Sequence, residues 1–134
     1  MKKDISFPQV EGINIAIVKN TNEVGQQEWY VYIINKNDYA IQGVIVNSRG
    51  YGEIEGEKRE TSILRQLFDE IAPQSYHIVE PIDPALFVLN NEFWVSYYVN
   101  GHIYDKRFTF VPDSIVEPNM IHIGILKMKG VLHE

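Results

Sequence analysis

Hydrophobic and polar positions alternate residue by residue along most of this chain, the period of a β-strand, and one segment alone carries apolar residues at helical spacing. In 12–18, GINIAIV, the residues Ile13, Ile15 and Ile17 oppose Asn14, Ala16 and Val18, which predicts a strand with one strongly apolar face. In 27–35, QEWYVYIIN, Trp29, Val31 and Ile33 oppose Tyr30, Tyr32 and Ile34. Both faces are apolar, so a central strand is expected. Lys36-Asn37-Asp38 supplies turn chemistry before a third strand over 41–48. The stretch 52–60, GEIEGEKRE, reads as a solvated hairpin tip, without the Asp/Asn spacing of a calcium loop. In 61–71, Ile63, Leu64, Leu67, Phe68 and Ile71 fit a helix behind a Thr/Ser cap, and equally a strand if the surroundings are all β. Beyond Pro73, strands are expected over 75–82, stopped by Pro81 and Pro84, over 86–89, and over 120–126. The 129–131 tail pairs briefly or frays.

The clearest segment is 92–111, EFWVSYYVNGHIYDKRFTFV. Two aromatic and β-branched runs flank Asn100-Gly101, the dipeptide that supplies both positive-φ positions of a type I′ turn. A two-residue turn fixes the register, so Val99 faces His102, Tyr97 faces Tyr104, Val95 faces Lys106 and Phe93 faces Phe108. These pairs share the face expected to be core. The other face carries Tyr98 opposite Ile103, Ser96 opposite Asp105 and Trp94 opposite Arg107. That face supplies the candidate binding residues: Trp94, Ser96, Tyr98, Asp105 and Arg107. Exposed, they form an aromatic platform with polar neighbours for a sugar ring or for another protein. Packed, Trp94 over Arg107 becomes a cation–π pair at the edge of the fold.

Short strands separated by turn signals, with no βαβ rhythm, predict an all-β fold. The expected form is an antiparallel immunoglobulin-like β-sandwich of about seven strands in one domain, 1–134, with at most one short helix near 61–71. The stretch 29–52, WYVYIINKNDYAIQGVIVNSRGYG, reads as a hairpin common in such sandwiches, closed by Asn47 and Gly50. Sandwiches have edge strands, and natural edges are guarded by charge or proline. Neither 12–18 nor 120–126 holds a proline, and 120–126 has no charge other than a protonated His122. One of them should therefore be central or covered. If 120–126 is an edge, either Val131–Leu132 or the same strand of a second chain should cap it, the latter giving a two-fold homodimer; a monomer is the other expectation.

Composition narrows the chemistry. The 134 residues are 45% hydrophobic and 12% aromatic, enough for a packed core, and no apolar run approaches membrane-helix length. Zero cysteines exclude disulfides and thiolate zinc sites. The formal charge of −6 opposes nucleic acid, which is held by neutralising phosphates. The opening MKKDISFPQVEG has no continuous apolar core, which predicts no secretory signal and a cytoplasmic protein. His77, His102, His122 and His133 read as structural or solvated histidines, since a metal site needs three or more converging ligands. Ser6, Ser48, Ser62, Ser75, Ser96 and Ser114 occur without a nucleophile elbow, and no glycine loop for phosphates is present. Glu92 and Asp105 fail as a glycosidase pair, because the hairpin register puts Glu92 beside Thr109 and too far from Asp105. No catalytic residue, metal or cofactor is expected.

Taken together, MKKDI, VNSRGYG, TSILRQ, LNNEFWVSYYVNGHIYDKRFTF and the closing GVLHE resemble a family of small bacterial proteins of unknown function, over nearly the whole chain. Some of its members are labelled as an alpha subunit of phenylalanyl-tRNA synthetase. That label implies a large class II catalytic domain, an ATP-binding arginine in an antiparallel sheet and a tRNA-binding surface. This acidic chain has no counterpart of either motif, so the resemblance carries over no catalytic residue. The expected function is a non-enzymatic binding or interaction module whose partner is protein, the alternative being a carbohydrate-binding sandwich that uses the Trp94/Tyr98 face.

Overall fold

The computed structural model describes residues 9–134, so Ser6 and most of the opening on which the signal-peptide and MKKDI readings rest lie outside the described residues. The described chain is all β, with ten antiparallel strands in two sheets. They are β1 (Ile13–Thr21), β2 (Gln27–Asn35), β3 (Ile41–Ile54), β4 (Glu57–Glu60), β5 (Leu64–Ile71), β6 (Ser75–Pro81), β7 (Asn90–Val99), β8 (His102–Phe110), β9 (Ile121–Ile123) and β10 (Met128–His133). The first sheet runs β6-β2-β1-β10-β9. In the second, β3 pairs β7 on one side and β4 and β5 in succession on the other, with β8 beyond β7.

The core lies between the sheets. Ile13, Ile15, Ile17, Val31 and Ile33 from the first sheet pack with Val44, Val46, Phe93, Val95 and Phe108 from the second. The alternation of β1 and β2 places Ala16, Val18, Tyr32 and Ile34 on the opposite face, where they form a smaller cluster with Ile123 and Leu126. Thus β2 is apolar on both faces because both are covered, and it is interior to its sheet, as is β1. The β7–β8 hairpin has the register its turn dictates, from Val99 opposite His102 through Phe93 opposite Phe108, with positive φ at Asn100 and Gly101.

Several expectations are corrected. Ten strands replace about seven. No α-helix occurs among the described residues, which agrees with the expectation of at most one short helix. Of the two readings open for 61–71, the strand holds over 64–71: β5 pairs β3 from Ile41–Ile71 to Ser48–Leu64, and its helix-spaced Leu64 and Leu67 are exposed instead of forming a buried stripe. Residues 86–89 are not a strand, because Pro84–Val88 is a 3-10 turn whose Asp83 carboxylate accepts from the Ala85 N–H at 2.9 Å. The 29–52 segment is not a hairpin. β2 and β3 belong to different sheets, and the connection between them is pinned by the buried Asn35 amide, which donates to the carbonyls of Tyr39, Ile71 and Ala72. Asn47 and Gly50 lie within β3 instead of closing a turn. At the chain end, 120–126 contributes only the three-residue edge strand β9, shorter than expected, while β1 is interior, as one of the two unguarded strands had to be. The tail, expected to pair briefly or fray, pairs as β10, hydrogen-bonded between β1 and β9. Val131 faces the main core and Leu132 packs on the smaller cluster, so that burial holds the terminus in place.

Candidate binding site

The outer face of the second sheet is open. Along β7, Phe93, Val95 and Tyr97 turn inward and are buried, which leaves Trp94 39% and Tyr98 47% exposed, next to Ile103 at 57%. Among the described residues nothing buries these side chains as a second core face, yet the Trp94–Arg107 cation–π pair named with that alternative does form.

Cross-strand pairing sets a row of four residues across this face: Arg65 on β5, Asn47 on β3, Trp94 on β7 and Arg107 on β8. At the usual strand spacing the two arginine Cα atoms stand about 14 Å apart, with the amide and the indole between them. The Arg107 guanidinium lies 4.4 Å from the Trp94 ring centroid, a cation–π contact that contributes about 0.5–1 kcal/mol at an exposed site. Arg65 Nε donates to Asn47 Oδ1 at 2.9 Å. In the next row Arg49 faces Glu92. Its Nε donates to Glu92 Oε2 at 3.0 Å, Glu60 lies 3.7 Å from Nη1, and the guanidinium sits 4.6 Å from the Tyr51 ring. The Glu92 carboxylate, first as hydrogen-bond acceptor and then as charge, pushes the Arg49 pKa further up, so Arg49 is charged at every accessible pH.

Together Asn47, Ser48, Arg49, Ile63, Arg65, Glu92, Trp94 and Arg107 enclose an open pocket of about 310 Å³. Of the five residues singled out in the sequence, only Trp94 and Arg107 line it. Tyr98 lies two pairs further along, its ring over Gly43, where a Cβ would stand 3.2 Å from the ring. Ser96 and Asp105 pair opposite each other between the Trp94 and Tyr98 steps. Asn47, Ser48, Arg49, Ile63 and Arg65 were missed as binding-face residues, and Glu92 was weighed only as a carboxylate partner of Asp105. Arg65 sits in the segment whose helix or strand character was ambiguous, and its meeting with Trp94 depends on β5 pairing with β3, which no local turn signal announces.

A second polar constellation lies between the sheets. Glu80 on β6, nearly buried, accepts a 2.8 Å hydrogen bond from the Ser48 hydroxyl on β3, beside a cavity of about 170 Å³ that also touches Thr61, Ser62 and Asn91. Burial raises the Glu80 carboxyl above its ordinary range, and the Ser48 hydrogen bond opposes that shift in part. Glu80 has no ion pair among the described residues, and it serves as a polar tie between the two sheets. The histidines are dispersed: His77 stacks on Phe68, and His133 meets Phe108 and Phe110 edge-on. Among the described residues no three His, Asp or Glu side chains converge as a metal site, and no helix is long and apolar enough to cross a membrane.

Comparison with known proteins found no family model, no curated protein and no solved structure that matches this chain.

Proposed function

We propose that the protein is a non-enzymatic cytoplasmic interaction module that seats a protein partner on the outer face of its second sheet. The observation that carries this reading is the composition of that face. Trp, Tyr and Arg are the residue types that dominate binding energy at protein interfaces, and here Trp94, Tyr98 and Arg107 stand exposed beside the exposed apolar side chains of Ile63, Leu67 and Ile103. A sheet face is rigid, so its anchors lose little conformational freedom on binding. The sandwich belongs, in this reading, to the immunoglobulin-like class. The support is its strand order: β1, β2 and β6 adjacent in one sheet and β5, β3, β7 and β8 in the other follow the A-B-E and C′-C-F-G arrangement, with the β9–β10 hairpin added beside β1. The resemblance to the family of small bacterial proteins is consistent with such a module and adds no catalytic residue to it.

The carbohydrate alternative has less support, because Arg107 already occupies part of the Trp94 ring surface that a sugar would use. Affinity capture from native lysate tests the main reading. A partner held by the wild type and by Tyr76→Ala, a control on the other sheet, is expected to be lost with the Trp94→Ala, Tyr98→Ala double variant. Equal capture by all three chains refutes the outer-face site. Glycan-array hits abolished by Trp94→Ala would instead establish the carbohydrate reading.

A further inference from the structure

We infer that the pocket beside Trp94 receives a carboxylate from an acidic segment of the partner; this rests on the outer-face reading and adds the partner's chemistry to it. The starting observation is a charge distribution opposed to the chain's own. The protein carries −6 overall and has only four arginines, yet Arg49, Arg65 and Arg107 line this one pocket against a single carboxylate, Glu92. That carboxylate is engaged, since Glu92 is held by Arg49 at 3.0 Å. Arg65 and Arg107 have no carboxylate within 4.0 Å among the described residues. What orients them is neutral: the Asn47 amide for Arg65 and the indole face for Arg107. Among the described residues, two guanidiniums are thus held in place without a carboxylate partner. A guanidinium is a planar fork of donors that matches a carboxylate with two parallel hydrogen bonds.

A phosphate shares that chemistry, and two features favour the carboxylate. Glu92 sits in the wall of the pocket, where it repels a dianion more than a monoanion. The overall −6 also opposes a polyanion such as nucleic acid. The exposed Ile63 and Leu67 beside the pocket suit an extended segment in which every second residue, the set that shares one edge, is acidic and apolar in turn.

The probe is a blocked heptapeptide, Glu-Ser-Leu-Ser-Glu-Ser-Leu, which carries glutamate and leucine in turn along one edge when extended, titrated into the full chain while the Trp94 indole N–H signal is followed by NMR. It is expected to bind about tenfold or more tightly than its glutamine counterpart at low salt, and the preference should shrink as salt screens the charges. Arg65→Gln and Arg107→Gln should each weaken binding about tenfold, whereas Arg59→Gln, on β4 outside the pocket, should leave it unchanged. Arg65→Glu should reverse the preference, towards a lysine-leucine peptide. All three side chains are exposed, so each of the four variants should fold as the wild type does. Equal binding of the glutamate and glutamine peptides overturns the inference, as does an Arg59→Gln loss matching that of Arg65→Gln. Tighter binding of a phosphoserine peptide or of an oligonucleotide overturns it as well. A partner lost with the Trp94/Tyr98 double variant but kept by Arg65→Gln and Arg107→Gln refutes the acidic segment and leaves the outer-face site standing.

Discussion

Gly130 is where the chain end can be tested most directly. It lies in β10 opposite Val18 of β1 on one side and Ile121 of β9 on the other. A Cβ there would stand 2.8 Å from the Ile17 carbonyl oxygen, 2.9 Å from Val18 Cγ2 and 3.3 Å from Ile123 Cδ1. The oxygen contact falls short of ordinary van der Waals distance by roughly 0.6 Å. Because the nearest atom is backbone, relief requires β10 to move away from β1 along their ladder from Ile15–His133 to Val18–Gly130. Overpacking of this kind costs about 1–3 kcal/mol, a large share of the roughly 5–15 kcal/mol that holds a domain folded. Gly124 is the matched control, since nothing lies within 4 Å of a Cβ built there. Replacing either glycine by alanine removes similar freedom from the unfolded chain, a gain of about 0.4–1 kcal/mol. The difference between the two variants therefore isolates the clash. Gly124→Ala should be neutral to slightly stabilising and Gly130→Ala destabilising, with melting lowered by about 3–5 °C for each kcal/mol lost in a chain of this length. Urea unfolding at constant m-value measures the gap. If the two variants agree within about 0.5 kcal/mol, β10 is not wedged between β1 and β9, and its place inside the sheet is refuted.

Three further outcomes are expected. Phe108→Ala, which empties a fully buried ring site, should cost about 3–5 kcal/mol in urea unfolding, and a loss below 1 kcal/mol would place that ring outside the core. Asn35→Ala leaves the carbonyls of Tyr39, Ile71 and Ala72 without their shared donor and should cost about 1–3 kcal/mol; Asn35→Asp, similar in size but unable to donate when ionised, should cost at least as much. Glu80 has a raised pKa in the folded chain, so the folded state binds the proton more tightly. The stability this contributes is fully present below the ordinary carboxylate value, is lost as pH rises through the raised value, and does not change further above it. Glu80→Gln should accordingly be the more stable chain at neutral pH and lose that advantage on acidification; melting curves across the acid range that run parallel for the two chains would refute the raised carboxyl.

Local chemistry alone determined the parts of this protein whose partners are close in sequence. Asn100-Gly101 dictated a two-residue turn, that turn dictated which residues of β7 and β8 face each other, and the pleat then separated Phe93, Val95 and Phe108 from Trp94, Tyr98 and Arg107. The apolar character of both faces of 27–35 likewise marked β2 as interior. Tertiary structure decided what depends on remote pairing. Residues 64–71 carry apolar spacing that suits a helix or a strand, and the open edge of β3 resolved the choice by offering backbone partners from Ile41 to Ser48. The same pairing brought Arg65 next to Asn47 and so to Trp94, a convergence that the sequence spacing of the three residues does not encode. Whether the tail pairs or frays was left open by the sequence for the same reason. A short strand ending a chain has no turn to set its register, and β10 became central because β1 presents an unpaired edge and the two clusters accept Val131 and Leu132 on opposite faces. Hydrophobic alternation says that a face will be buried; which strand buries it, and which charged side chains then meet on the face left open, is set by the packing of the two sheets.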